Sequence, residues 1–272
     1  MAKAAFQGER GAFSEDASLT FFGDVETVGC KSFDEVFEAI LENKVDFGIV
    51  PVENSQAGSI NETYDLLLSY PLAIFGEINM RINHCLVALP GTRLTEIKVI
   101  YSHPQALAQC QEFLNKLKVE VIPGYNTAGS AKRIKDEGIR SHAAIASRRA
   151  AQIYGLEIVA ADIETNPNNY TKFFVISKKK AKPASNNKTS LVFSTKNTPG
   201  ALYSILGSFA TRNINLSKLE SRPSREKPWE YFFYVDFEGH EDDEICHDAL
   251  SELKEKTTFI KILGSYPRAE TL

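Results

Sequence analysis

The stretch from Lys178 to Lys188, "KKKAKPASNNK", limits what this chain can fold into more than any other. It is charged, then polar, and contains Pro183, so it offers no apolar face to a core. It reads as the junction between two folding units: residues 1–180, a linker over 181–188, and a tail over 189–272. At 272 residues and 43% hydrophobic content, the chain can bury more than one core.

Charge and cysteine usage narrow the function classes. The 31 basic and 35 acidic residues leave a net charge of −4. That balance, without basic-aromatic interleaving, argues against a nucleic-acid partner but allows a local positive pocket for a small anion. Cys30, Cys85, Cys110 and Cys246 are far apart with no CxxC, so they read as reduced, packed thiols in a cytoplasmic protein. No histidines fall at metal-ligand spacing, so no metal is expected. The start "MAKAAFQGERGAF" has no apolar signal core, and no apolar run is long enough to span a bilayer.

Residues 1–180 alternate short apolar runs with amphipathic helices, an α/β pattern with some parallel pairing. In "KSFDEVFEAILEN", Ser32 and Glu35 have capping-box spacing, and Phe33, Val36, Phe37, Ile40 and Leu41 share a face. "VIYSHPQALAQCQEFLNKL" repeats strand, cap and helix, with Ser102 and Gln105 at capping-box spacing. Two lobes are expected, one over about 1–77 with 158–180 returning to it, the other over 78–157. Crossing connections would leave a cleft at the strand ends, where ligands collect. The tail reads strand, helix, strand, strand, helix, strand: a ferredoxin-like βαββαβ sandwich. Its first helix is expected to have Thr198 as cap and Pro199 as first residue. Its third strand is expected within "WEYFFYVDFEG", residues 229–239. One face of its sheet would pack on the helices, and the other is free to stay exposed or meet a second subunit.

Several segments carry possible chemistry, each with a plainer alternative. In "FQGERGAFSEDA", Ser14 either caps a helix or helps a helix N-terminus hold a carboxylate. Glu53, Asn54 and Ser55 follow a buried strand and Pro51, as ligand contacts or as loop anchors. In "YNTAGSAKRI", Asn126, Thr127 and Ala128 open a helix whose small residues let an anion approach, or simply cap it. His84 reads as a packed strand histidine. His103 reads as a neutral ring at a helix start, able to donate to a loop carbonyl. In "NYTKFF", Thr171 and Lys172 should point to opposite faces of a strand, with Phe173 as core or pocket wall.

As a set, "GERGAFSEDA", "VPVENSQAGSINETYDLL", "INHCLV", "SHPQALAQC", "YNTAGSA", "AAIAS", "YGL" and "NYTKFF" resemble prephenate dehydratase. The tail, with "GALY" and "ESRP", resembles that family's ACT regulatory domain. The resemblance covers nearly the whole chain. It implies a two-lobed, periplasmic-binding-protein-like catalytic region, with Thr171 as the central catalytic residue. Ser14, Glu53, Asn54, Ser55, Asn126, Thr127, Ala128, Lys172 and Phe173 would bind substrate. Lys172 stands where the family usually has arginine, so a planar fork is replaced by a flexible point charge.

The implied activity is that of a carbon–oxygen lyase: prephenate loses its ring carboxylate and ring hydroxyl to give phenylpyruvate, carbon dioxide and water. Aromatisation drives the reaction, and hydroxide is the poor leaving group that needs a donor. No cofactor is implied, neither metal, nicotinamide nor pyridoxal. Arogenate dehydratase is the nearest alternative, and a two-lobed binding module without catalysis the more distant one. The resemblance also implies allosteric inhibition by L-phenylalanine at Gly200, Ala201, Leu202, Tyr203, Glu220, Ser221, Arg222 and Pro223, in a homodimer or homotetramer.

Overall fold

The computed structural model describes residues 1–224 and 230–269. They form two compact units: Met1–Thr63 with Ile78–Phe173, and Tyr64–Glu77 with the described part of 174–272. Segments 64–77 and 174–180, expected with the lobes, therefore cluster with the tail. Trp229 and residues 270–272, included in the expectations for the tail, lie outside the described residues.

The chain begins β1 (Lys3–Gln7), α1 (Phe13–Phe22), β2 (Glu26–Cys30), α2 (Phe33–Leu41), β3 (Phe47–Asn54), β4 (Gly58–Ser59), α3 (Asn61–Ser69) and β5 (Ala73–Arg81). It continues with β6 (Cys85–Ala88), β7 (Val99–Ser102), α4 (Pro104–Gln109), α5 (Gln111–Asn115), β8 (Glu120–Pro123), α6 (Thr127–Glu137), β9 (His142–Ala146), α7 (Arg148–Tyr154), β10 (Glu157–Ala160) and β11 (Tyr170–Ser177). The tail holds β12 (Asn187–Ser194), α8 (Ala201–Ala210), β13 (Leu216–Pro223), β14 (Tyr231–Glu238), α9 (Glu244–Lys256) and β15 (Phe259–Pro267).

One sheet has the order β2-β1-β3-β11-β5, with β1 parallel to both its neighbours. The 160–177 segment thus returns as β11, beside β3. A second sheet has the order β10-β6-β9-β7-β8. Its inner strands β6 and β9 are buried on both sides, so they read as nearly unbroken apolar runs, "CLVA" and "HAAIA". Cys85, Val87, Ala144 and Ala146 face α6 and α7 through Ala131, Ile134 and Ala150. The alternate residues Leu86, Ala88, Ala143 and Ile145 face α4 and α5 through Leu107, Cys110 and Leu114.

The third sheet has the order β13-β14-β12-β15, as a βαββαβ sandwich requires. Leu191, Phe193, Val235 and Phe237 meet Ile205, Phe209, Leu250 and Leu253 of α8 and α9. The face expected to stay exposed or to meet a second subunit is contacted by the chain's own segment 64–77. Tyr64 lies 5.0 Å from Tyr234, ring to ring, and Lys188 Nζ meets both Glu77 oxygens at 2.7 and 2.9 Å. Gly264 passes so close to the Ile74 backbone that any Cβ would clash.

Some local expectations need correction. Ser14 does not cap α1; the N-cap is Ala12, and Ser14 is buried inside the helix. Ser32 accepts from Glu35 N as expected, but the Glu35 carboxylate takes Lys31 N, one residue before the cap. His103, not Ser102, caps α4; Ser102 Oγ donates instead to Ile145 O. Gly200, in the left-handed region at φ 81°, precedes α8, so neither Thr198 nor Pro199 starts it. Asn187 and Lys188, expected in the linker, are the first residues of β12.

Candidate active site

Strands β3 and β11 carry the central groups of the site. Asn54 ends β3 and is 4% exposed; Thr171 is the second residue of β11 and is 8% exposed. Backbone N–H groups of Gln56 and Ala57 lie 3.1 and 3.0 Å from Asn54 Oδ1. A backbone N–H can only donate, so these contacts fix which end of the amide is oxygen. The other end, Nδ2, lies 3.0 Å from Thr171 Oγ1, 2.8 Å from Asn169 Oδ1 and 3.1 Å from Tyr170 O. Thr171 Oγ1 therefore accepts from Asn54, and its own hydrogen is left for another acceptor.

The same logic runs on to a histidine. Asn169 Oδ1 faces Asn54, so its Nδ2 is the end that donates to Gln109 Oε1 at 3.0 Å. Gln109 Oε1 is then an acceptor, and His84 Nε2, 2.8 Å away, must carry the proton. Burial lowers the His84 pKa, which favours the neutral ring. Its Nδ1 is buried without a partner among the described residues, and its ring packs T-shaped against Phe13 with centroids 5.7 Å apart. His84 is packed, at 2% exposure, but it is only half satisfied, bonding Gln109 through Nε2. His103 accepts through Nδ1 from Gln105 N at 3.3 Å, rather than donating to a carbonyl.

Lys172 stands one residue on from Thr171 and meets Glu53 across 3.3 Å. Strand alternation puts this ion pair on the face opposite the Asn54–Thr171 contact. Ser55 Oγ donates to Asn168 O and accepts from Tyr170 N, both at 3.0 Å, and so ties the β3 end to the start of β11. Phe173 is buried at 2% exposure.

The two helix starts meet at a second place. Gly8 and Asn126 line one cavity of about 270 Å³, together with Glu9, Arg10, Lys31 and Tyr125. Asn126 caps α6 through Oδ1, which accepts from Gly129 N. Its Nδ2 is buried with no partner among the described residues: a spare donor beside two cations. Thr127 is the first residue of α6, whereas the Ala128 side chain is wholly buried in the core, so only its backbone could meet a ligand. The loop before α1 is held by Glu15, whose carboxylate accepts from Gly11 N at 2.6 Å and Thr27 Oγ1 at 2.9 Å. Gly11, at φ 88°, lies where a Cβ would fall 2.7 Å from Ala150 Cα.

In the tail, a groove of about 890 Å³ is lined by Ala201, Leu202, Arg222 and Pro223, with Asp65 and Leu68 of α3. Gly200, Tyr203, Glu220 and Ser221 are not among its lining residues. Tyr203 is 82% exposed, and Glu220 lies 2.9 Å from Lys218 Nζ.

The prephenate dehydratase family model matches residues 4–181. This chain belongs to the prephenate dehydratase family. An ACT domain model matches residues 189–253, so the βαββαβ tail is the ACT domain of this family member. The chain is 44% identical to an Arabidopsis thaliana chloroplastic arogenate dehydratase/prephenate dehydratase, over 99% of this chain and 74% of that protein. A prephenate dehydratase from Arthrobacter aurescens, solved in complex with L-Phe, superposes with a TM-score of 0.89 at 34% identity, covering 98% of this chain and 90% of that one. A structure described as a novel type of quorum quenching acylase also superposes at 0.89, with 33% identity and 98% of each chain covered.

Within this family member, sequence reasoning passed over Gln109 and Asn169. Both sit in stretches that carry the resemblance, yet neither shows a local signal for a role. All four cysteines are free, and burial raises their thiol pKa values, that of Cys110 to about 12. None has the character of a nucleophile. Among the described residues, no His/Cys/Asp/Glu group could hold a metal, and no helix is long and apolar enough to cross a membrane.

Proposed function

We propose that this protein converts prephenate to phenylpyruvate, carbon dioxide and water, with Thr171 as the hydrogen-bond donor to the departing ring oxygen. The observation that carries the reading is the sense of the Asn54–Thr171 bond. An accepting Thr171 Oγ1 keeps its hydrogen for the leaving group. A threonine hydroxyl is too weak an acid to hold a ready proton, but it can stabilise charge growing on the oxygen as the C–O bond breaks. The electrons of the ring carboxylate enter the ring as carbon dioxide leaves. The departing hydroxide ends as water by taking a proton relayed from solvent, so Thr171 is unchanged.

A firmly clamped ring carboxylate would oppose its own loss of charge. The spare Asn126 donor, with Arg10 and Lys31 nearby and the Glu9 carboxylate offset by Lys132 at 3.2 Å, suits the pyruvyl carboxylate, which keeps its charge throughout. L-Phenylalanine is the proposed inhibitor, held in the groove of the ACT domain; the L-Phe complex of the Arthrobacter aurescens relative supports this. Arogenate is the second candidate substrate, because the Arabidopsis relative bears both activities in its name. Paired ultraviolet assays with prephenate and arogenate, with and without phenylalanine, test the reading. Formation of phenylpyruvate, suppressed by phenylalanine, is expected; turnover of neither substrate would overturn it.

A further inference from the structure

We infer that Asp65 is a positioning residue that links occupancy of the ACT-domain groove to the setting of helix α3. The inference rests on the phenylalanine inhibition proposed above and concerns how that signal leaves the groove. Asp65 Oδ1 lies 3.0 Å from Arg222 Nη2, with both side chains largely buried. Arg222 sits in "ESRP", between Ser221 and Pro223, and both Arg222 and Asp65 line the groove. An amino acid bound there brings a carboxylate that competes with Asp65 for the guanidinium donors.

Helix α3 is well placed to feel that competition. The sheet holds it at both ends of its second half: Arg222 grips Asp65, while Lys261 Nζ of β15 donates to Leu67 O, Leu68 O and Tyr70 O, each at 2.8 Å. A cation on those terminal carbonyls suits the helix field. At the other end, Thr63 Oγ1 donates to Pro51 O at 2.8 Å, three residues before Asn54 on β3. Asn61–Ser69 is one continuous helix, so a shift at Asp65 is carried along it to Thr63 and to the strand that orients Thr171. The effector class is an α-amino acid with an apolar side chain, because Leu202, Phe232 and Phe233 also line the groove.

The test uses the full chain. Asp65→Asn keeps the shape but weakens the grip on Arg222. Because it releases α3 as bound phenylalanine would, basal kcat with prephenate should fall toward the level of phenylalanine-inhibited wild type, while calorimetry should still detect phenylalanine binding. The further drop in activity at saturating phenylalanine should shrink about tenfold or more. Asp65→Glu should restore inhibition, which a merely structural role would not require. Lys261→Met, which loosens the far end of the helix, should uncouple in the same direction. Wild-type inhibition in Asp65→Asn at equal occupancy would overturn the inference while leaving the regulatory reading intact. If Asp65→Asn fails to fold, wild-type inhibition in Lys261→Met would overturn it as well. Absence of phenylalanine binding by the wild-type protein would overturn the regulatory reading, and this inference with it.

Discussion

Asn54 donates to Thr171 across 3.0 Å, and two backbone N–H groups on the far side of the amide fix the sense of that bond. The contact joins residues 117 positions apart in the chain. It decides what the Thr171 hydroxyl is free to do.

Asn54→Asp tests that sense directly. An ionised aspartate only accepts, so the Thr171 hydrogen turns to it and is withdrawn from substrate. We expect kcat to fall roughly 100-fold or more, the scale for losing one preorganised donor, with KM changing far less. Steady-state kinetics on a variant with a native circular dichroism spectrum measures this. Unchanged kcat would show that Thr171 does not depend on Asn54 for its orientation.

The Lys172–Glu53 pair is partly exposed, and such pairs contribute about 0–1 kcal/mol. Lys172→Met should therefore leave urea stability nearly unchanged. If Lys172 serves only Glu53, KM for prephenate will hold as well. A large rise in KM would instead give Lys172 a place on the substrate.

Lys188 and Glu77 form a buried pair, with side chains 6% and 1% exposed. Glu77 also accepts from Ala269 N at 3.1 Å. Lys188→Met strands a buried carboxylate and should cost about 3–5 kcal/mol in urea unfolding, whereas Lys188→Met with Glu77→Leu should recover most of that loss. Equal losses in the single and double variants would show that the pair does not act as a unit.

Asp16 supplies a pH signature. Its pKa is raised from 3.8 to about 6, because burial outweighs the pull of Arg149 and Glu15 adds repulsion. A carboxyl raised on folding contributes stability that is full below pH 3.8 and lost as pH rises through about 6. Asp16→Asn should remove that loss, so its stability relative to wild type should climb between about pH 4 and 6. Denaturation curves across that window measure the slope; parallel profiles would contradict it.

Elements with strong local signals were legible in the sequence. The Ser32 cap and apolar face of α2, the helix start at Asn126 and the βαββαβ order of the tail all follow from spacing and caps. Lys188 was not legible, because a lysine ending a polar tract looks solvated. Its partner Glu77 lies 111 residues away. Gln109 and Asn169 gain their roles only when β3, α4 and the start of β11 converge, through contacts spanning 55 to 115 residues. Gly200 displaced Pro199 at the start of α8 because the chain there needs a left-handed residue, which glycine adopts freely.

Turnover by Thr171→Ala, measured as phenylpyruvate formed from prephenate, puts the claim about the donor hydroxyl most directly at risk. The account predicts a folded protein whose kcat drops about 100- to 10,000-fold while substrate affinity is largely kept, with Thr171→Ser retaining more activity than Thr171→Ala. A folded Thr171→Ala protein with near-normal kcat would contradict it.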